Sequence, residues 1–377
     1  MRKFFRTLIL VFILYISWPF IEKQIEKTDM YPMLERFRTE VQNIADNPSV
    51  AAAMDTIYTT INHLTGKIEN GVELLPQKEE LKSIEKPNLT IPSEQTFSVH
   101  SIVLGENKET VEKLAGVPKR SSVNEYGVEW NTYHENYHNF FMIAYDSNNH
   151  VAGLYTNQDL IASSKGIKIG STKETVLQQL GKPMTQIRKG FVFYQFEKDR
   201  DYDVFHIDHS YVTIFYDQHA NNTVTAIQII DEDLEHAKSH FYVTVSDVLK
   251  EGFEYQLFDL TNADRVKHGL AVLKWDDNVK VTARKHSDDM AKNHYFSHTN
   301  LAGLSPFDRM KNDQIFFTMA GENLATGQFS SIFAHEGLMN SLGHRENILK
   351  PEYRYLGVGV AFNSESQPYY TENFFRK

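Results

Sequence analysis

The sequence predicts an α+β protein made of several units in series, and three observations predict it. At 377 residues and about 150 residues per domain, the chain holds two to three folded units. A stretch in the middle repeats itself as strand, turn, short helix and further strands, the mark of a duplicated helix-plus-sheet unit. From Phe253 the texture changes again, to two helix-like segments and then strand-like runs.

The N-terminus reads as a membrane helix. Arg2, Lys3 and Arg6 precede an apolar stretch, and Phe4 to Ile21 is 18 residues, about 27 Å of helix against a hydrocarbon core of about 30 Å. Trp18, Pro19, Phe20 and Ile21 are bulky where a signal peptidase requires small residues. Residues 1–26 are therefore expected to be an uncleaved anchor, the membrane being contacted through residues 4–21. The basic side stays cytoplasmic and the remainder lies outside the cell membrane; secretion after cleavage is the alternative. Residues 27–96 follow as stalk and linker. Leu34, Phe37, Val41 and Ile44, then Val50, Met54, Ile57, Ile61 and Leu64, recur at helical spacing. They suit a stalk packed on the next domain or a short coiled coil that makes a homo-oligomer. Glu69 to Thr96, with Pro76, Pro87 and Pro92, reads as linker.

Residues 97–240 contain the repeat. Ile102-Val-Leu-Gly105, Lys108-Glu-Thr-Val111, Gly116 and Pro118 return 65 positions later as Ile167-Lys-Ile-Gly170, Lys173-Glu-Thr-Val176, Gly181 and Pro183. Strands are predicted at Phe140 to Tyr145 and Val151 to Tyr155, then at Phe191 to Phe196, Tyr211 to Tyr216 and Val224 to Ile230. Neither copy sets a nucleophile beside a base. His206, His209 and His219 read as a solvated face, so the unit is assigned to binding or scaffolding.

Composition narrows the chemistry. The 39 Lys and Arg against 49 Asp and Glu give a net charge of -10, which disfavours general nucleic-acid binding. The absence of Cys removes disulfides, thiol nucleophiles, zinc ribbons and Cys lipidation. His335-Glu336-Gly-Leu-Met339 begins like a zinc-protease helix but has Met at the second His position. No Gly-x-Ser-x-Gly elbow or Gly-Lys-Ser/Thr phosphate loop is present.

In residues 253–377, Phe258 to Gly269 and Asn278 to His294 are predicted helices, and Tyr369-Tyr370 with Phe374-Phe375 a final core strand. The runs Asn262-Ala-Asp-Arg-Val-Lys-His-Gly269, Leu273-Lys-Trp-Asp276, Tyr295-Phe-Ser-His298, Ser305-Pro-Phe-Asp-Arg309, Gly321-Glu-Asn-Leu-Ala325, Gly343-His-Arg-Glu-Asn-Ile-Leu349 and Leu356-Gly-Val-Gly-Val360 resemble the CAP superfamily, also called the SCP-like domain. The upstream repeat resembles the CAP-associated domain of some bacterial envelope proteins. The resemblance implies an α-β-α sandwich for residues 253–377, extracytoplasmic placement and a central cleft.

In that family the cleft carries two histidines and two acids. The resemblance places three of them at His298, Glu322 and His344. The eukaryotic pattern has its second acid in a helix three residues after a Trp, and Ser341 stands at the matching position here. Glu336 lies five residues earlier, about 140° around a helix, and is expected to face away from whatever Ser341 faces. Imidazoles and a carboxylate suit zinc or another divalent cation. His298, His344 and Glu322 are thus the candidate metal ligands, with Glu322 alternatively the catalytic general base. The same three residues could instead form a hydrogen-bonded cluster tying loops together. His286 reads as a helix-face His bonded inside the fold. Two functions follow: a binding or interaction role toward an unknown envelope ligand or protein, or a metal-dependent hydrolase acting on envelope peptide or lipid.

Overall fold

The computed structural model describes residues 84–377. The expected membrane helix and stalk helices lie outside the described residues. Among the described residues no helix is long and apolar enough to cross a membrane.

The two repeat copies join in one seven-stranded antiparallel sheet. The first copy supplies β1 (Phe97–Val99), α1 (Lys108–Ala115), β2 (Arg120–Val123), β3 (Glu129–Glu135), β4 (His138–Tyr145) and β5 (Val151–Thr156). The second supplies β6 (Ile161–Ser163), α2 (Lys173–Leu180), β7 (Gln186–Lys189), β8 (Val192–Gln195), β9 (Tyr202–Ile207), β10 (Ser210–Asp217) and β11 (Thr223–Asp231), and α3 (Glu232–Ala237) follows. The order β2-β3-β4-β5-β11-β10-β9 puts β5 beside β11 at the junction, with Leu154 opposite Ile229. The repeated Lys-Glu-Thr-Val runs are helices because each is capped at both ends. The Asn107 side chain accepts from the Glu109 amide and the Thr172 side chain from that of Thr175. Gly116 and Gly181 close the helices at positive φ.

Sequence reasoning missed β2, β3, β7 and β9. In Glu129-Trp-Asn-Thr-Tyr-His-Glu135 polar residues occupy buried positions, so no hydrophobic alternation shows. Asn131 is tolerated inside because its amide donates to the Glu129 and Ile143 carbonyls. The histidines of the second copy lie at the surface, His206 beside Glu232 at 3.2 Å and His209 94% exposed.

The C-terminal part is built from α4 (Asp247–Lys267), β12 (Lys274–Trp275), α5 (Asp277–Asn293), α6 (Pro306–Asn312), β13 (Met319–Thr326), α7 (Ser331–Asn340), α8 (Leu342–Ile348), β14 (Tyr355–Phe362) and β15 (Pro368–Arg376). Helix α4 begins ahead of Phe253, at an N-cap where Ser246 accepts from the Leu249 amide. The sheet order is β12-β14-β15-β13. One face packs on α4 and α7 through Leu257, Leu338, Val358 and Phe374, and the other on α5 and α6 through Val279, Met310, Leu324 and Phe375. This is the expected α-β-α sandwich. The Gly-Val-Gly run of β14 explains how α5 comes so close: a Cβ on Gly357 would collide with the Val279–Lys280 backbone, and one on Gly359 with that of Ala283–Arg284.

The layer of α4 and α7 is covered on both sides. Trp130, Phe140, Tyr155, Phe215 and Ile230 on the seven-stranded sheet pack against Leu260, Ala263 and Ile332, while α1 and α2 cover its opposite face through Val111 and Val176. The described chain is therefore a stack of helix, sheet, helix, sheet, helix. Polar contacts cross the same boundary. Tyr137 donates to Asp259 at 2.7 Å, Arg120 pairs with the other Asp259 oxygen at 2.9 Å, and Arg345 pairs with Asp217 at 2.9 Å.

Candidate functional site

The site grows from the end of α5. His294 takes a left-handed conformation (φ 52°) at the C-cap and turns the chain into the loop bearing His298. His286, on the buried face of α5, lies 2.9 Å from the Ser297 carbonyl through Nε2; a nitrogen facing a carbonyl must carry the proton, so this bond fixes its tautomer. Burial pushes the His286 imidazole down to about 4, with Glu322 opposing the shift. The ring is neutral at physiological pH.

Helix α6 supplies the other side of the loop. Ser305 and Asp308 form a reciprocal capping box and Pro306 opens the helix, which sets Arg309 one turn in, with its guanidinium buried. Arg309 Nη1 donates to the His298 carbonyl at 2.6 Å and to that of Leu304 at 3.0 Å, and Nη2 donates to Glu322 Oε2 at 2.5 Å. The other Glu322 oxygen, Oε1, lies 2.9 Å from His298 Nδ1. Burial raises the Glu322 carboxyl, but the Arg309 charge and the His298 hydrogen bond outweigh it and hold the group below its ordinary value. Glu322 is thus an anion, and a nitrogen facing an anion donates. The lone pair of a neutral His298 ring then sits on Nε2.

Strand alternation turns Asn323 to the opposite face of β13 from Glu322. Its amide donates to Glu372 Oε2 at 3.1 Å and to the His344 carbonyl at 3.2 Å, while Asn347 donates to Asn323 Oδ1 at 2.9 Å. These bonds fasten the start of α8, where His344 lies half-buried, to the strand segment that carries Glu322.

The predicted residues are therefore placed as follows. His298 and Glu322 meet directly. His344 is tied through its main chain to the residue next to Glu322. Ser341 is the half-buried N-cap of α8 and makes no side-chain capping bond. Glu336, carried as a stand-in acid for the cleft, is buried on α7 and accepts from Tyr155 of the seven-stranded sheet at 2.7 Å. The reason is the helical angle: five residues before Ser341, Glu336 faces the repeat domain instead.

Sequence reasoning missed Arg309, Asn323 and Glu372. Arg309 had a signal in the Ser-Pro-Phe-Asp capping sequence that fixes its helix. Glu372 is fully buried among Thr261, Asn323, His335 and His344, and burial raises its carboxyl. Only the pairing of β13 with β15, Asn323 opposite Glu372, brings it to Asn323.

The residues present do not fit a three-ligand metal site that includes Glu322. Both its oxygens are engaged, one by a guanidinium, and among the described residues no three His, Asp or Glu side chains are grouped to hold an ion. As the carboxylate that orients the His298 ring, Glu322 does fit.

The α-β-α module, the His-Glu pair behind its α5 loop and the preceding repeat domain define a CAP-domain protein with an associated N-terminal domain. Residues 104–241 match the family model for the CAP-associated N-terminal domain and residues 258–374 that for the cysteine-rich secretory protein family, CAP. The chain is 31% identical over 293 residues to the "Uncharacterized membrane protein YlbC" of Bacillus subtilis (strain 168), covering 73% of this chain and 82% of that one. It is 41% identical over 125 residues to the "Uncharacterized protein YkwD" of the same organism, covering 33% and 48%. A crystal structure of an extracellular protein containing a SCP domain from Bacillus anthracis superposes with a TM-score of 0.64 at 26% identity, covering 78% of this chain and all of that one. The chain belongs to the CAP family.

Proposed function

We propose that this chain is a membrane-anchored, extracytoplasmic binding protein of the cell envelope, whose CAP module presents a cleft beside His298 and His344 to an envelope ligand. The observation that carries this reading is the double engagement of Glu322 by Arg309 and His298. A buried carboxylate neutralised by a guanidinium is a poor general base, because the charge that stabilises it also lowers its proton affinity. The basic and apolar N-terminal segment supports the anchor. So do two relatives, one named as a membrane protein and one as an extracellular protein.

A second reading is a metal-dependent hydrolase of envelope peptide or lipid. The bond from a carboxylate to His298 Nδ1 favours it, because such a partner raises the basicity of an imidazole ligand. Bound zinc or another divalent cation would supply Lewis acidity. This chain's own contribution would be the orientation of His298.

Zinc titration calorimetry on the full chain and on the His298→Ala, His344→Ala double variant, alongside turnover of envelope peptides and lipids, separates the two. Equal zinc uptake and no turnover are expected. Stoichiometric uptake that the double variant loses, together with zinc-dependent turnover, would overturn the binding reading.

A further inference from the structure

The spacing between the two repeat copies changes part-way through the second. Gly105 and Gly170 stand 65 positions apart, but β4 and β10 begin 72 apart, as do β5 and β11. About seven extra residues therefore lie between β7 and β9. They supply β8 and its turn, which pair with β7 in a two-stranded ribbon outside the main sheet. Lys189 lies opposite Val192, so Gly190 and Phe191 alone make the turn. Gly190 has φ 58°, as the first position of a type II′ turn requires, and this holds Phe191 at the apex.

Phe191 is 95% exposed, Phe193 56% and Val192 52%. The ribbon that carries them is fixed. Ile187 and Lys189 are buried, the Lys189 ammonium donates to the Glu235 carbonyl at 2.8 Å and pairs with its carboxylate, and Tyr194 stacks on Phe241 at 5.2 Å. In the first copy the matching strand β2 lies within the main sheet and under α4, with Gln256 donating to the Val123 carbonyl at 2.9 Å.

Charge points to what the tip meets. Residues 181–195 contain no acid, and with Lys189 buried against Glu235 their remaining cations are Lys182 and Arg188, in a chain of net charge -10. Arg188 and Lys182 are exposed, and the Arg188 guanidinium lies 5.9 Å from the Phe193 ring centre. Projecting aromatic and aliphatic side chains with a cation beside them suit the headgroup boundary of an anionic bilayer, where the rings enter and the cation meets phosphates. We propose that the β7–β8 ribbon docks on an anionic lipid surface through Phe191, Val192 and Phe193, with Arg188 facing lipid phosphates. This contact goes beyond the cleft and uses none of its residues.

The chain has no Cys, so Phe191→Cys, and Val117→Cys as a control at a site 72% exposed, each take one environment-sensitive nitrobenzoxadiazole label. The labelled full chains are mixed with vesicles of phosphatidylcholine, with or without phosphatidylglycerol, carrying doxyl lipids as quenchers. With phosphatidylglycerol the label at 191 should shift to the blue and be quenched several-fold more than at 117. High salt, or Arg188→Glu with Phe193→Ser added to Phe191→Cys, should reverse this. Solvent-like emission at 191 in both vesicles would overturn the proposal. A blue shift without lipid quenching would overturn it too, since a second copy or another protein would then cover the tip. Flotation of the unlabelled chain with phosphatidylcholine vesicles tests the N-terminal anchor separately, because an anchored chain floats whether or not the ribbon docks.

Discussion

The Tyr155 hydroxyl donates to Glu336 Oε1 across 2.7 Å, joining the seven-stranded sheet to helix α7 inside the boundary between the two parts of the fold. His335, the preceding residue, lies 2.7 Å from Asp264 on α4. Lys267 reaches the other Asp264 oxygen at 3.6 Å.

Burial, then the charge of Asp264, pushes the Glu336 carboxyl up to about 7, against the opposing His335. Below the ordinary value of 4.5 the group is protonated in both the folded and the unfolded chain. Between there and about 7 only the unfolded chain releases the proton, so this group's contribution to stability falls as pH rises through that window. Asp264 works in the opposite sense, being held below its ordinary value by Lys267 and His335 despite burial. Replacing Glu336 with Gln should therefore remove a loss on the order of 2 kcal/mol between pH 5 and pH 8. Urea unfolding at the two pH values measures it; an identical pH dependence in the variant would contradict the assignment.

Arg309→Met should destabilise the protein by about 3–5 kcal/mol, because it leaves the Glu322 anion buried without its cation. Adding Glu322→Gln should recover a large part of that loss. A double-mutant cycle by chemical denaturation reads the coupling, and simple additivity would mean the pair is not the unit described.

Gly359→Ala tests the approach of α5 to β14. Its Cβ would meet the Arg284 main chain, which cannot rotate away, and a loss of about 3 kcal/mol is expected. Gly337→Ala is the contrasting case. Nothing lies within 4 Å of the added carbon, and helix propensity should make it stabilising by about 0.5–1 kcal/mol. Thermal melts of the two variants should move in opposite directions.

The shared helix layer bears on how the chain comes apart. A fragment of residues 253–377 loses the Ser246 cap and the first turns of α4, and uncovers Leu260, Ala263 and Ile332. It should bind a hydrophobic dye and melt well below the full chain, for which calorimetry should show one transition spanning both sheets. A fragment as stable as the full chain would show that the boundary contributes little.

Much of the fold was legible along the chain because its signals are local. Helix caps, repeated Lys-Glu-Thr-Val runs and closing glycines announce α1 and α2, and the alternating apolar residues of β10 and β11 announce strands. Strand β3 was hidden because Asn131 and Thr132 occupy buried positions, which pattern reasoning reads as surface. At the candidate site the motif residues His298 and Glu322 were legible, whereas Asn323 takes its place from strand alternation and its partners only from assembly.

By itself the sequence determined the duplicated unit, the CAP module and the identity of the His and Glu side chains of the candidate site, since each is written within a few neighbouring residues. Only the tertiary structure decided what those groups do for one another: Arg309 neutralises Glu322, Glu336 turns to Tyr155, and α4 and α7 serve two sheets. The physical reason is that a charge takes its energy from the groups packed around it, and those groups come from segments far apart in the chain.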